Sequence, residues 1–216
     1  MKSKLIVALD VDSYEQATTL IEQLHDTVEV FKVGNQLFTR VGPRIIEFIN
    51  AQDRKCFLDL KFLDIPNTVA KAVESAGALK VHMLTVHACG GKEMLKAAVG
   101  VADRPLLLGV TVLTSVPGDM RAEVLRLTHL AEQCGLNGVI ASPREITLLR
   151  REVRQGFLVV TPGVRPAGAE AGDQKRVMSP AEAVAAGADY IIVGRPIIAA
   201  QDPADAARRI AEEMAL

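Results

Sequence analysis

The sequence has little of what marks a secreted, membrane-spanning or nucleic-acid-binding chain. Its 216 residues include three cysteines, Cys56, Cys89 and Cys134. They are odd in number, widely spaced and form no CxxC pair, which argues against a disulfide framework or zinc knuckle and leaves them as buried small apolar residues. The formal net charge is only −1, and no basic run with interleaved aromatics occurs, so nucleic acid is not an expected partner. No apolar run reaches the ~20 residues needed to cross a bilayer. The opening MKSKLIVALDVD has a short apolar stretch, broken by Asp10 and Asp12 before it could serve as a signal peptide. Glycine is missing where a dinucleotide fold needs it: ALDVDSYE contains none, so no Rossmann fingerprint follows the first apolar run. The expectation is a soluble protein of a reducing cytoplasm that binds a small molecule, with no membrane or nucleic-acid partner.

What is present is hydrophobic and regularly spaced. With 49% hydrophobic and 24% charged residues, the chain can bury one sizeable core and is short for two ordinary domains, so 1–216 is read as a single domain. Short β-branched apolar runs alternate with longer amphipathic stretches, the pattern of a parallel sheet wrapped in helices. Strands are predicted at 5–9, 28–33, 55–60, 83–87, 106–112, 138–141, 157–161 and 190–194. Between them, Ala17, Leu20, Ile21 and Leu24 recur at helical spacing, with Ser13 and Gln16 as a capping box. A second helix carries Leu125, Leu127, Leu130, Ala131 and Cys134, with Gly135 as its C-cap. A last helix near 202–215 has Ala206, Ala207, Ile210 and Ala211 on one side. Eight strands and eight crossovers, evenly tiling the chain, predict an α/β fold of the (β/α)8 TIM-barrel type over an open doubly wound sheet. Catalytic groups are then expected at the C-terminal strand ends and the loops beyond.

Four strands supply polar ends: Asp10, Lys32, Asp59 with Lys61, and His87. In an extended strand, residues two apart share a face, so Asp59 and Lys61 are expected to face the barrel mouth while Leu58 and Leu60 face the helices. Asp64 follows in the loop, and Pro66 suits the first turn of the next helix. Inward charges are costly to desolvate unless they neutralise one another or meet a charged ligand. Lys32, Lys61, Asp59 and Asp64 together have zero net charge and could hold a lysine protonated as a positioned acid. His25, His82 and His129 have no metal-ligand spacing and are read as surface or helix-packing residues. His87 is left open between a structural hydrogen bond and a ligand contact.

Late in the chain, TPGVRP (161–166), the Gly/Ala-rich 167–176 and YIIVGRPI (190–197) read as parts of one anion site. Gly194 follows a strand and is expected to precede a short helix, so backbone amides from Gly194 onward can approach a phosphate, and Arg195 can add a charge-assisted bond. Barrels commonly hold a phosphate after strands seven and eight. The stretch between Arg165 and Arg176 is long for a barrel loop and reads as a lid with polar groups for a ligand.

These segments together resemble the orotidine 5'-phosphate decarboxylases. The resemblance covers nearly the whole chain: ALDVD, FKVG, FLDLKFLDIPNTV, TVHACGG, VTVLTS, TPGVRP with GDQKR, and IIVGRPI, with the DxKxxDI run the most specific. It implies conversion of orotidine 5'-phosphate to uridine 5'-phosphate and CO2, the last step of de novo UMP synthesis, with no metal or organic cofactor. By position, Lys61 would deliver a proton to C6 of the pyrimidine, Asp59 would lie beside the departing carboxylate, and Lys32 would complete the network and touch the ribose. Asp64 would reach the neighbouring subunit's site, implying a homodimer. Asp10 and Thr68 would bind ribose hydroxyls, and Thr114 and Ser115 would face the pyrimidine. Gln174, Gly194 and Arg195 would hold the phosphate, with Arg165 at the base of the lid.

Two other readings compete. A magnesium-dependent sugar-phosphate decarboxylase or synthase of the same barrel suprafamily resembles the DxKxxD run, but a magnesium site needs oxygen ligands that Lys32 would repel. A non-catalytic nucleotide-binding module would have lost polar groups, yet each position implied by the resemblance is filled.

Overall fold

In chain order the elements are β1 (Lys4–Ala8), α1 (Tyr14–Leu24), β2 (Val30–Gly34), α2 (Asn35–Val41), α3 (Arg44–Ala51), β3 (Lys55–Phe62), α4 (Pro66–Ala78), β4 (Met83–His87) and α5 (Gly91–Val99). They continue with β5 (Leu106–Val110), α6 (Arg121–Gln133), β6 (Gly138–Ile140), α7 (Ile146–Glu152), β7 (Leu158–Thr161), α8 (Pro180–Ala186), β8 (Tyr190–Val193), α9 (Arg195–Ile198) and α10 (Pro203–Glu213). The computed structural model describes residues 4–113, 116, 118–166 and 178–215. All eight strands pair in parallel, in sequence order, and β8 closes on β1 to form a barrel. The chain is therefore a TIM barrel. Among the described residues, no helix is long and apolar enough to cross a membrane.

Alternation along each strand splits the core into two shells. Leu5, Val7 and Leu9 face outward onto the helices, while Ile6 and Ala8 face the barrel interior. The interior is filled by Val30, Phe57, Met83, Leu108, Val160 and Ile192 among others, so it is a packed core and not a pore. Each fully buried Leu, Ile, Val or Phe contributes roughly 1.5–3 kcal/mol. Gly138 is forced by packing: a Cβ there would lie 2.3 Å from the carbonyl oxygen of Leu158, its partner on β7.

Several elements depart from expectation for identifiable reasons. β2 starts at Val30, because the Val28 amide closes α1 by bonding to Leu24 O at 2.9 Å. β5 ends at Val110, because Thr111 turns its hydroxyl to the Ile140 carbonyl at 3.0 Å. β2 is followed by two helices, α2 and α3, where one was expected, and β8 by the short α9 and then α10; each of the other strands is followed by one α-helix. The predicted capping box of α1 is half formed. Gln16 N–H donates to Ser13 Oγ at 3.2 Å, but the Gln16 side chain accepts from Asp12 N at 3.1 Å. α6 buries Val124, Leu127, Thr128 and Ala131, with Leu125 and Leu130 flanking that stripe. Of the cysteines, Cys56 and Cys134 are buried and Cys89 is exposed. Cys89 lies in the 3-10 turn Ala88–Gly90, beyond the sheet, where Ala88 is the buried residue. Burial pushes the Cys56 thiol up to about 12.

Candidate active site

The interior face changes character toward the C-terminal rim. Stepping two residues at a time, Ala8 gives way to Asp10, Val30 to Lys32, Phe57 to Asp59, Met83 to Thr85, and Ile192 to Gly194. The same periodicity that packs the barrel therefore delivers polar groups to one end of it. All but Thr85 border a cavity of about 500 Å³ at the mouth, of a size that suits a nucleotide-sized ligand. Strands β1–β3 contribute its charged end, Val110, Val112 and Ile140 an apolar wall, and Gly163, Arg165 and Arg195 the remainder, with Gly194 next to Asp10.

At the charged end four groups alternate in sign. Lys32 Nζ lies 3.2 Å from Asp10 Oδ1 and 3.6 Å from Asp59 Oδ2, and Lys61 Nζ donates to Asp59 Oδ1 at 2.8 Å. Burial pushes the Asp59 carboxyl up, but the charges of Lys32 and Lys61, with hydrogen bonds from Lys61 and Thr85, outweigh it and hold the group below the ordinary carboxylate value. The expected quartet is thus altered. Within one chain its fourth member is Asp10, whereas Asp64 is exposed and accepts from the Ile65 amide at 2.7 Å. Thr68 is likewise exposed, in the first turn of α4, and does not line this chain's cavity.

Lys61 reaches Asp59 by a route that strand alternation does not predict. β3 pairs Leu58 with Leu84 and then Phe62 with Val86, so Asp59, Leu60 and Lys61 together stand opposite the single residue Thr85. Lys61 has φ +54, a left-handed conformation uncommon outside glycine. Asp53, Lys80 and Asp103 share that trait among the described non-glycine residues, but each follows a helix; Lys61 lies inside a strand. This is a β-bulge that turns the lysine toward the carboxylate beside it.

Two contributors escaped sequence reasoning. Thr85 is fully buried, and its hydroxyl accepts from Lys61 N at 2.9 Å and donates to Asp59 Oδ1 at 3.0 Å. Its position two residues before His87, on the same strand face, was the available signal. Gly34 leaves room for the Lys32 ammonium, 3.1 Å from where a Cβ would stand; it closes the FKVG run. His87 faces inward without lining the cavity, and its buried Nδ1 has no hydrogen-bond partner among the described residues. Burial and the nearby Lys61 ammonium lower its pKa against the opposing pull of Asp59.

Of the two arginines, Arg165 is buried and Arg195 exposed. Burial lowers the Arg165 pKa, and repulsion from Arg195 lowers it further, so two guanidiniums lie near each other on the cavity wall. Gly194 precedes the four-residue helix α9, as expected. A parallel bridge between Val164 and Met178, with Arg165 N bonded to Met178 O at 3.0 Å, ties the two ends of the predicted lid together. Residues 167–177, with Gln174, and Thr114 and Ser115 lie outside the described residues.

Comparison with known proteins points the same way. The profile described as "Orotidine 5'-phosphate decarboxylase / HUMPS family" matches residues 3–210. A relative named orotidine 5'-phosphate decarboxylase from Syntrophotalea carbinolica is 50% identical over 99% of this chain and 96% of its own length. Another of that name from Halorhodospira halophila is 49% identical over 98% and 96% respectively. The crystal structure of orotidine 5'-phosphate decarboxylase from Lactobacillus acidophilus superposes with a TM-score of 0.85 at 37% identity, covering 99% of this chain and 100% of that one. By full-length sequence and by fold, the chain belongs to the orotidine 5'-phosphate decarboxylase / HUMPS family.

Proposed function

We propose that this chain converts orotidine 5'-phosphate to UMP and CO2, the last step of de novo UMP synthesis, using its own side chains alone. The observation that carries this reading is the alternating Asp10–Lys32–Asp59–Lys61 row at one end of a cavity that two arginines also line. Arg165, Gly194 and Arg195 take the phosphate, and Asp10 and Lys32 the ribose. The pyrimidine lies against the apolar wall with its carboxylate toward Asp59. As the C6–carboxylate bond breaks, its electron pair stays on C6 and CO2 leaves. Lys61 Nζ stabilises that charge as an ammonium and gives C6 its proton. Binding energy from the remote phosphate helps to position the reacting ring. Gln174 is assigned to the phosphate, and Thr114 and Ser115 to the pyrimidine, from sequence position alone.

The working unit of this proposal is a homodimer in the cytoplasm. Leu63 and Ile65, on either side of Asp64, are 54% and 67% exposed, and Leu113 near the same rim is 45% exposed. Large apolar side chains exposed in this way suit a partner surface. Asp64 would be carried by that contact into the neighbouring site, and Thr68, one helical turn further on, would travel with it. Those two residues then serve the partner's ligand and not their own chain's.

The magnesium-dependent alternative is disfavoured by Lys32, whose ammonium stands between the Asp10 and Asp59 carboxylates that a divalent cation would have to bridge. The test is to mix the protein with orotidine 5'-phosphate in excess chelator and follow the ultraviolet change of the pyrimidine. Turnover undiminished by chelator is expected. No turnover would overturn the proposal, and turnover that appears only with added magnesium would favour the alternative.

A further inference from the structure

We infer that Thr85 is a positioning residue for this reaction, setting the Lys61 ammonium against Asp59 through one hydroxyl shared by the lysine's backbone and the aspartate's carboxylate. The inference rests on the proposed role of Lys61 and asks how that lysine is held. Two residues apart in a regular strand, Asp59 and Lys61 would have Cα atoms roughly 6.6 Å apart along the chain direction. The bulge opposite Thr85 compresses that spacing and takes the Lys61 amide out of the regular ladder with β4.

Thr85 compensates for what the bulge disrupts. A hydroxyl has one proton to donate and can accept in return. Here it accepts the Lys61 N–H at 2.9 Å and donates to Asp59 Oδ1 at 3.0 Å, the oxygen that also receives Lys61 Nζ at 2.8 Å. The three contacts close a ring that leaves Lys61 by its backbone, passes through Thr85 and Asp59, and returns through the lysine's own ammonium. The left-handed backbone at Lys61 and the direction of its side chain are thus fixed by a single buried side chain on the next strand. Around this ring stand Asp10 from the β1 end, Lys32 from β2 and His87 from β4. Among the described residues none of them bonds to the Lys61 amide, and His87 Nδ1 has no hydrogen-bond partner. Thr85 touches the acid and its counterion without lining the cavity, which separates its role from that of a substrate ligand.

The experiment compares Thr85→Val, which keeps the shape without the hydroxyl, with Thr85→Ser, which keeps the hydroxyl. Turnover of orotidine 5'-phosphate is measured with calorimetric binding of UMP. Thr85→Val is expected to lower kcat by about 10- to 100-fold, the effect of losing a hydrogen bond to a charged group. Its UMP affinity should stay within about threefold of wild type, because the cavity wall is unchanged, and Thr85→Ser should recover most of the lost kcat. The inference is overturned if Thr85→Val turns over like wild type, if serine falls as far as valine, or if UMP affinity drops in step with kcat. Should the valine variant not fold, Thr85→Ala takes its place under the same expectations. Wild-type protein inert toward the substrate would instead overturn the proposed function, so the two failures are distinguishable.

Discussion

A methyl group at Gly34 would lie 3.1 Å from Lys32 Nζ and 3.5 Å from Asp10 Oδ1. An ammonium on a flexible stem normally yields to such a contact at little cost. Lys32 is held between Asp10 and Asp59, so yielding means lengthening one of its ion pairs. Gly34→Ala should therefore lower kcat/KM by about tenfold, since displacements well under 1 Å at a positioned charge are felt in the rate. The unfolding temperature should move little, because φ −96 at this position is open to alanine. A calorimetric scan beside steady-state kinetics checks both halves; unchanged kinetics would mean that the Lys32 position is not critical. At this scale Asp10, Lys32, Asp59 and Lys61 were legible in the sequence, because two-residue periodicity puts strand-end charges on the inner face. Thr85 and Gly34 were not. A lone threonine in an apolar strand carries no signal of its own, and the bulge that gives it a role depends on pairing with β3. The placement expected for Lys61 was reached from a regular strand that the structure does not have.

At the scale of elements, the barrel is locked at both ends by charge. The floor has its own cluster: Glu29, just before β2, accepts from Lys4 of β1 at 2.7 Å and from Lys55 of β3 at 2.5 Å. Hydrogen bonds from Lys4 and then Lys55 hold the Glu29 carboxyl down at about 2, against its ordinary 4.5. A carboxyl whose folded pKa is depressed gives stability that is present above the unfolded value and lost as pH falls through the folded one. The cluster should therefore stabilise the fold above pH 4.5 and lose its contribution between 4.5 and about 2. All three side chains are about two-fifths exposed, so the effect is modest. Thermal unfolding of wild type and Glu29→Gln across that range checks the sign. The two curves should converge toward pH 2, and a gap that widens with acid would contradict the assignment. Most of the fold was legible here, since all eight strands lie within two residues of their predicted ends. The pair of helices after β2 was not foreseen, whereas the short helix beyond Gly194 was. α2, at seven residues, is too short for helical periodicity to stand out from a loop.

On the scale of the whole molecule, one chain presents an incomplete version of the site that the sequence led us to expect. Lys61 is in the cavity, while Asp64 and Thr68, three and seven residues later in the chain, are outside it on an exposed segment flanked by Leu63 and Ile65. Two-fold association would complete both sites at once, because an isologous interface gives each chain what it lends to the other. On the proposed dimer, the bulge and the short loop after it would divide the DxKxxD run between two active sites. This division is the central claim, and complementation tests it most directly. Lys61→Ala and Asp64→Ala chains, each inactive or nearly so alone, are unfolded together, refolded and assayed on orotidine 5'-phosphate. Random pairing makes about half the dimers mixed, each with one intact site of two, so activity should return to about a quarter of wild type. If mixed dimers are shown to form and activity stays at the level of the separate variants, Lys61 and Asp64 serve the same chain's site and the shared-site account is wrong.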